Sequence, residues 1–246
     1  MRALACTLVL FLAASAGAAP DTSKRPVARA GTDTDSVVSV PRLAFAASVT
    51  SLRPTLRPGA IVQKAMARRA ERRKGQVCGD PDLQGDEVGF VPGRINGCGV
   101  AEAVRLKSVS GVSLSQHAVI DCPTARAIKT WTEKGAKPAL RNVGGGLASF
   151  RVAAHYACRT RNNQPGARIS EHGRGRAIDI SGFVMKDGTT LTVLNDWNSR
   201  NGRALKSMHR AACGPFGTVL GPNSDRFHRD HFHFDTARHR GGPYCR

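Results

Sequence analysis

The distribution of cysteines places the strongest constraint on how this 246-residue chain folds. Seven cysteines occur, and one of them, Cys6, lies in an apolar leader. The other six are Cys78, Cys98, Cys122, Cys158, Cys213 and Cys245. An even number of cysteines in a chain that leaves the cytosol indicates disulfides, although free thiols are the alternative and the spacing does not select a pairing. Because cysteines stand near both ends of residues 77–246, we expect one disulfide-stabilised domain there.

Residues 1–19 predict a secretory signal peptide. Arg2 supplies a positive start, an apolar stretch follows to Ala14, and small residues at 16–18 provide a cleavage site. The apolar stretch is shorter than the roughly 20 residues that span a membrane. We therefore expect an exported protein, periplasmic or extracellular, with no transmembrane segment after cleavage. An uncleaved N-terminal anchor is the alternative.

Residues 20–76 predict a disordered basic linker, because Ser, Thr, Pro, Arg and Ala follow one another without a period. Within it, Ala and Arg favour a short basic helix from Lys64 to Gly75. The formal net charge of +19 favours an anionic partner such as peptidoglycan or another envelope polymer. Arginines do not alternate with aromatic residues as in proteins that stack bases, so we expect no nucleic-acid partner. The sequence does not define the oligomeric state.

Helix and strand patterns alternate along residues 77–246. Proline and apolar spacing predict a helix from Pro123, and amphipathic spacing predicts another from Gly202 to Cys213. Predicted strands occupy the segments SFRVAAHYACR, RAIDISGF, TLTVLND, FGTVLGP and HFHFD. Turns join successive strands, which predicts an α+β fold with a largely antiparallel sheet.

Two of the predicted strands carry polar residues opposite an apolar face. In HFHFD, alternation puts His231, His233 and Asp235 on one face and the phenylalanines on the other. In RAIDISGF, Asp179 lies on the polar face while the isoleucines point inward. The loop before that strand carries His172 followed by Gly173 and Gly175, so it can fold back over the sheet.

Imidazole and carboxylate groups are the zinc ligands that this segment offers. A catalytic zinc keeps three protein ligands and an exchangeable water. His172, Asp179 and one of the late histidines supply three such ligands. The alternative is that these are hydrogen-bonded polar groups without a metal. His155 is predicted as a core or edge residue of its strand, and His228 as a group orienting a ligand or a plain loop histidine.

The combined motifs resemble a known family. The segments YACRTRN, SEHGRGRAIDISGF, DGTTLTVLNDW, AACGPFGTVLGP, HRDHFHFD and the terminal YCR are similar to the bacterial extensin-like C-terminal domain. The first histidine motif and the late DHFH also resemble the zinc D-Ala-D-Ala peptidase and murein endopeptidase superfamily, which has the Hedgehog/DD-peptidase fold. That resemblance implies Zn²⁺ held by His172, Asp179 and His233.

The same resemblance implies a catalytic base but leaves two candidates open. One arrangement in the superfamily uses an acid three residues before the last ligand, which is Asp230 here. The other uses the first histidine of an H-x-H pair, which is His231 here. Arg159 and Ser170 are candidates for contacting the substrate, with a structural role as the alternative for each. Arg176 stands where a small polar residue is expected, and surface charge is the favoured explanation for it.

We therefore expect a zinc metallopeptidase-like hydrolase, in which activated water attacks an amide of the peptidoglycan peptides. The alternative is a noncatalytic wall-binding or structural envelope module on the same fold. A metal-dependent phosphoesterase fits less well, because the chain lacks a second carboxylate-rich metal cluster.

Overall fold

The structure of the protein is a computed structural model that describes residues 59–246. The predicted signal peptide and most of the predicted linker lie outside these residues. Among the described residues, no helix has the length and apolar character needed to cross a membrane.

Ten strands form one mixed but largely antiparallel sheet. The strands are β1 (Gln76–Val77), β2 (Asp80–Pro92), β3 (Gly99–Val109), β4 (Val112–Asp121), β5 (Leu147–Ala154), β6 (Ala177–Met185), β7 (Thr190–Thr192), β8 (Thr218–Leu220), β9 (Phe232–Asp235) and β10 (Tyr244–Cys245). Their order is β1-β2-β3-β4-β5-β6-β9-β8-β10, with β7 paired to β6 outside this path. Only the β4–β5 and β8–β10 pairs are parallel, so the predicted α+β class and largely antiparallel sheet are confirmed.

Five α-helices accompany the sheet in the described part. They are α1 (Gly59–Lys74), α2 (Cys122–Trp131), α3 (Lys137–Leu140), α4 (Val193–Asp196) and α5 (Gly202–Ala212). A π-helical turn, Thr132–Ala136, joins α2 to α3, and short 3-10 turns occur at Arg161–Asn163 and Glu171–Arg174.

Helix α2 begins and packs as its sequence predicts. The Asp121 side chain accepts a hydrogen bond from the Thr124 N–H at 2.9 Å, which caps the helix, and a proline follows in the first turn. Trp131 at its end is fully buried against Phe150 and Phe234, and its indole N–H donates to the carbonyl of Met208 in α5. The helices thus cover one face of the sheet.

The hairpins from β2 to β4 have no counterpart among the predicted elements. Strand β2 is half-buried or exposed along most of its length, and its pairing with β3 contains several register shifts. A strand that is irregular and mostly exposed shows no clean alternation of apolar and polar residues, which is the signal used to predict strands.

Two predicted strands end earlier than expected. The segment TLTVLND is a strand only to Thr192 and then forms α4, because the Thr192 side chain accepts from the Asn195 N–H at 3.2 Å and caps a helix. Strand β5 ends at Ala154, so His155 lies just after the strand rather than within it. The helix predicted from Lys64 is present as α1, but it begins at Gly59.

The six cysteines pair as Cys78–Cys122, Cys98–Cys158 and Cys213–Cys245. The predicted disulfide-stabilised domain is therefore confirmed, and the pairing that the sequence left open is defined. The first bridge ties the chain before β2 to the start of α2, and the third ties the end of α5 to β10.

Candidate metal centre

Strands β6 and β9 place two polar residues directly opposite each other. They pair antiparallel, with Asp179 opposite His233 in the register. The flanking residues Ile178, Phe232 and Phe234 are fully buried in the core, on the side that the helices cover. Because side chains alternate along a strand, this packing turns Asp179 and His233 toward the other face.

A tight turn brings His172 to the same place. The 3-10 turn Glu171–Arg174 ends at Gly175, whose left-handed backbone (φ 67°) lets its N–H bond back to the carbonyls of Glu171 and His172. A side chain at Gly173 would meet the Cys98 sulfur at 3.0 Å, so this glycine lets the turn pack on the Cys98–Cys158 bridge. The glycines of this motif thus position His172.

Three ligand-type side chains converge in a buried cluster. His233 Nδ1 lies 2.9 Å from Asp179 Oδ1 and 3.1 Å from His172 Nε2. His172 Nε2 lies 3.1 Å from Asp179 Oδ2. All three residues are buried, and one ligand atom from each lies within 4.8 Å of the others. The cluster therefore could hold a metal ion.

The far side of each imidazole has its own partner. His172 Nδ1 lies 2.8 Å from the carbonyl oxygen of His155, to which it can only donate. His233 Nε2 lies 3.1 Å from Asp235 Oδ2. When each of these nitrogens carries the proton, the lone pairs of His172 Nε2 and His233 Nδ1 face Asp179, an arrangement of acceptors that requires a cation or protons between them.

The pKa values follow from this geometry. Burial alone lowers the pKa of His233, but the hydrogen bonds to Asp179 and Asp235 outweigh burial and raise the pKa to about 9. Burial opposes ionisation of Asp179, yet the hydrogen bonds with His172 and His233 hold its pKa well below the usual range. Without a cation, the cluster therefore binds a proton at His233, and a metal ion held there would displace that proton.

The two candidate bases occupy different positions. His231 is half-buried, and its Nε2 lies 3.7 Å from Asp179 Oδ2. Its Nδ1 lies 2.7 Å from Asp230 Oδ1. The Asp230 side chain is 65% exposed and does not line the cavity over the cluster. The structure thus places His231 beside the cluster and Asp230 behind it.

A cavity of about 460 Å³ opens over the cluster, and we call it the site cavity. Arg159 and Ser170, the two predicted substrate contacts, both line it, as does Arg161. Ser170 is buried and Arg159 is half-buried, so both can reach a bound molecule through this cavity.

Asp235 and His228 lie next to the cluster. Asp235 accepts a hydrogen bond from the His233 nitrogen that points away from the cluster. The alternation in HFHFD predicts that the two residues share a face. His228 Nδ1 lies 2.8 Å from Asp225 Oδ1, and its ring is 5.5 Å from that of His233. His228 therefore packs beside a ligand-type residue without joining the cluster.

The fold and the cluster together define a class of protein: a disulfide-stabilised α+β domain with a buried His–Asp–His cluster that could hold a metal ion. Residues 89–246, more than half of the chain, match the family model described as the extensin-like protein C-terminus. The chain belongs to this family. No curated protein and no solved structure matches the chain.

Proposed function

We propose that the protein is an exported, zinc-dependent hydrolase that cleaves amide bonds in peptidoglycan peptides. The observation that carries this proposal is the convergence of His172, Asp179 and His233 beside a further histidine, His231, which lines the same cavity. The proposal includes a relationship to the Hedgehog/DD-peptidase fold, which rests on the likeness of the motifs alone.

The spacing of the cluster fits zinc. Ligand nitrogens and oxygens lie about 2 Å from zinc, so two ligands of a tetrahedral ion lie roughly 3.3 Å apart. The two imidazole nitrogens lie 3.1 Å apart, and they lie 2.9 and 3.1 Å from different oxygens of Asp179. Small side-chain shifts suffice to receive the ion. Two imidazoles and one carboxylate leave a fourth position for water, as catalytic zinc sites do.

A zinc ion held here would polarise an amide carbonyl and lower the pKa of water at the fourth position. His231 would be the proton acceptor of such a site, because its Nε2 lies 3.7 Å from Asp179 Oδ2 and the residue lines the site cavity. Asp230 accepts the hydrogen bond from His231 Nδ1, which fixes the orientation of the ring. Of the two candidate bases, we therefore assign the proton transfer to His231 and the positioning to Asp230.

The remaining cavity residues suit an amide substrate. Arg159 supplies a positive charge near the place where the oxyanion forms, and Ser170 supplies a hydroxyl beside His172. The three disulfides are typical of proteins in an oxidising compartment, which agrees with export. A net charge of +19 favours adsorption to an anionic envelope polymer.

The proposal is tested by supplying the full-length protein with zinc and intact peptidoglycan, and separating the soluble products by chromatography. We expect new peptide fragments from the wild type and none from His172→Ala. His117→Ala is the matched control, because His117 is exposed on β4. This variant should cleave peptidoglycan as the wild type does. Unchanged peptidoglycan with the zinc-loaded wild type would contradict the proposal.

Helix α1 supports the alternative of a wall-binding module. None of its residues is buried, and its last turn carries Arg72, Arg73 and Lys74. It contacts the domain through an ion pair between Arg72 and Asp82. Binding of the protein to peptidoglycan that weakens at high salt, without any cleavage by the zinc-loaded protein, would favour this alternative.

A further inference from the structure

A second, larger cavity adjoins the site cavity. It has a volume of about 740 Å³ and lies between the turn Gly214–Gly217, the tail segment Thr236–Pro243 and the side chain of Arg176. We call it the tail groove. His239 lines both the tail groove and the site cavity, so the two cavities adjoin at this residue.

The wall of the tail groove is held in place by covalent and hydrogen bonds. The Cys213–Cys245 disulfide ties the tail to the end of α5. The Tyr244 N–H donates to the carbonyl of Gly217 at 2.7 Å, where β10 adds to β8. At the junction, His239 Nε2 lies 3.0 Å from the Thr218 hydroxyl oxygen. These contacts define the shape of the groove next to the cluster.

The charged groups of the tail groove are mainly positive. Arg238 and His239 are exposed, and Arg238 forms no ion pair with any residue in the described range 59–246. The Arg176 side chain is 50% exposed, and its Nε lies 3.8 Å from Asp121 Oδ2. Among the described residues, Asp121 is the only acidic one that lines the groove, and its other oxygen caps α2. Both guanidinium groups thus keep hydrogen-bonding capacity for an anion.

A third cavity of about 500 Å³ continues the path beyond Arg176. It shares Asp121, Pro123 and Arg176 with the tail groove and adds Arg174. Its one further acidic residue is Glu102. The three cavities therefore form a series that leads away from the candidate metal centre, and arginines line the two outer ones.

We propose that the tail groove is a substrate-binding subsite, in which Arg176 and Arg238 bind a carboxylate of a peptide whose scissile amide lies at the candidate metal centre. This inference rests on the proposed function, because it takes the substrate to be a carboxylate-bearing peptide. His239 lies where the tail groove adjoins the site cavity. The surface charge of Arg176, which the sequence alone explained as incidental, becomes a determinant of specificity.

The test compares two probes on the full-length, zinc-supplied protein. One probe is a stem peptide released from peptidoglycan with its carboxylates free, and the other is the same peptide after amidation of those carboxylates. Binding is measured by calorimetry, which requires no turnover. We expect the doubly substituted Arg176→Gln, Arg238→Gln protein to bind the free peptide about tenfold more weakly and the amidated peptide unchanged.

Arg203→Gln is the matched control, because Arg203 is exposed on α5 and does not line either cavity. It should bind both probes as the wild type does. Equal affinity of the wild type and the double variant for the free peptide, or no binding by the wild type, would overturn the subsite. Cleavage of peptidoglycan is scored separately. If the double variant binds the free peptide about tenfold more weakly but the wild type cleaves nothing, the subsite stands and the proposed hydrolase fails.

Discussion

The two faces of strand β9 are built from neighbouring residues and are equally buried, yet different forces hold them. On one face Phe232 and Phe234 are fully buried, and Phe234 packs against the rings of Trp131 and Phe216 at centroid distances of 4.9 Å. On the other face His233 and Asp235 are 8% and 4% exposed, and His233 bonds to both Asp235 and Asp179.

The difference shows what each face needs. Burial of aromatic surface is favourable by itself and tolerates small shifts. Buried imidazoles and carboxylates are favourable only when every charge and lone pair has a partner, so a cluster of acceptors depends on a cation or protons. The apolar face should therefore set the stability of the fold, and the polar face should set the affinity for a metal ion.

Replacing Asp179 with alanine should have the largest effect on the polar face. It removes the only carboxylate that both His172 and His233 contact. We expect zinc affinity to fall more than a hundredfold, beyond the loss typical of an outer partner. Competition with a chelator measures the affinity, and far-ultraviolet circular dichroism should show the wild-type fold. A retained affinity would remove Asp179 from the ligand set.

Phe234→Ala should have the largest effect on the apolar face. It deletes a fully buried ring between Trp131 and Phe216. We expect a loss of about 3–5 kcal/mol in the free energy of unfolding, measured with urea. Phe227→Ala is the control, because that ring is 39% exposed and should cost little. A zinc affinity that fell as far as in Asp179→Ala would show that the two faces are not independent.

Asp235→Asn should lower the zinc affinity by a smaller factor than Asp179→Ala does. Asp235 does not belong to the cluster, but it accepts the hydrogen bond from His233 Nε2. We expect a loss of about 10–100-fold in zinc affinity, since an amide is a weaker acceptor and can present the wrong group to the imidazole. Asp187→Asn, in an exposed turn, should leave the affinity unchanged. Equal affinities for both variants would contradict the support that we assign to Asp235.

The smallest expected effect concerns His209 of α5, which packs against the apolar face of β9. His209 packs against Trp197 and Phe232, and burial lowers its pKa. A depressed pKa means that the folded state prefers neutral His209, so this contribution to stability is complete above about pH 6.5 and is lost as the pH falls below it. His209→Leu should therefore unfold with a shallower dependence on pH in acid. The pH dependence is measured from denaturant midpoints at several pH values. If the midpoint of His209→Leu falls with decreasing pH as steeply as that of the wild type, groups other than His209 cause the acid sensitivity.

The parts that the sequence predicted are those with regular alternation or clear caps. Strands β6 and β9 carry alternating apolar and polar residues, so Asp179 and His233 could be placed on a shared face before the register was known. Strand β2 escaped prediction because bulges and exposed residues remove the alternation, whereas β4 was missed although buried and exposed residues alternate over residues 112–115. The hydrogen bond from His172 to the His155 carbonyl could not be predicted, because every residue has a backbone carbonyl and residue type does not indicate which one accepts. The tail groove depends on the Cys213–Cys245 pairing, which the spacing of cysteines does not determine.

The most direct test of the candidate metal centre is an X-ray diffraction measurement of the zinc-soaked protein on both sides of the zinc absorption edge. We expect one anomalous peak above the edge, at a zinc ion bound by His172 Nε2, His233 Nδ1 and Asp179, and no such peak below the edge. No peak at that position, or a zinc ion bound only at other residues, would contradict it.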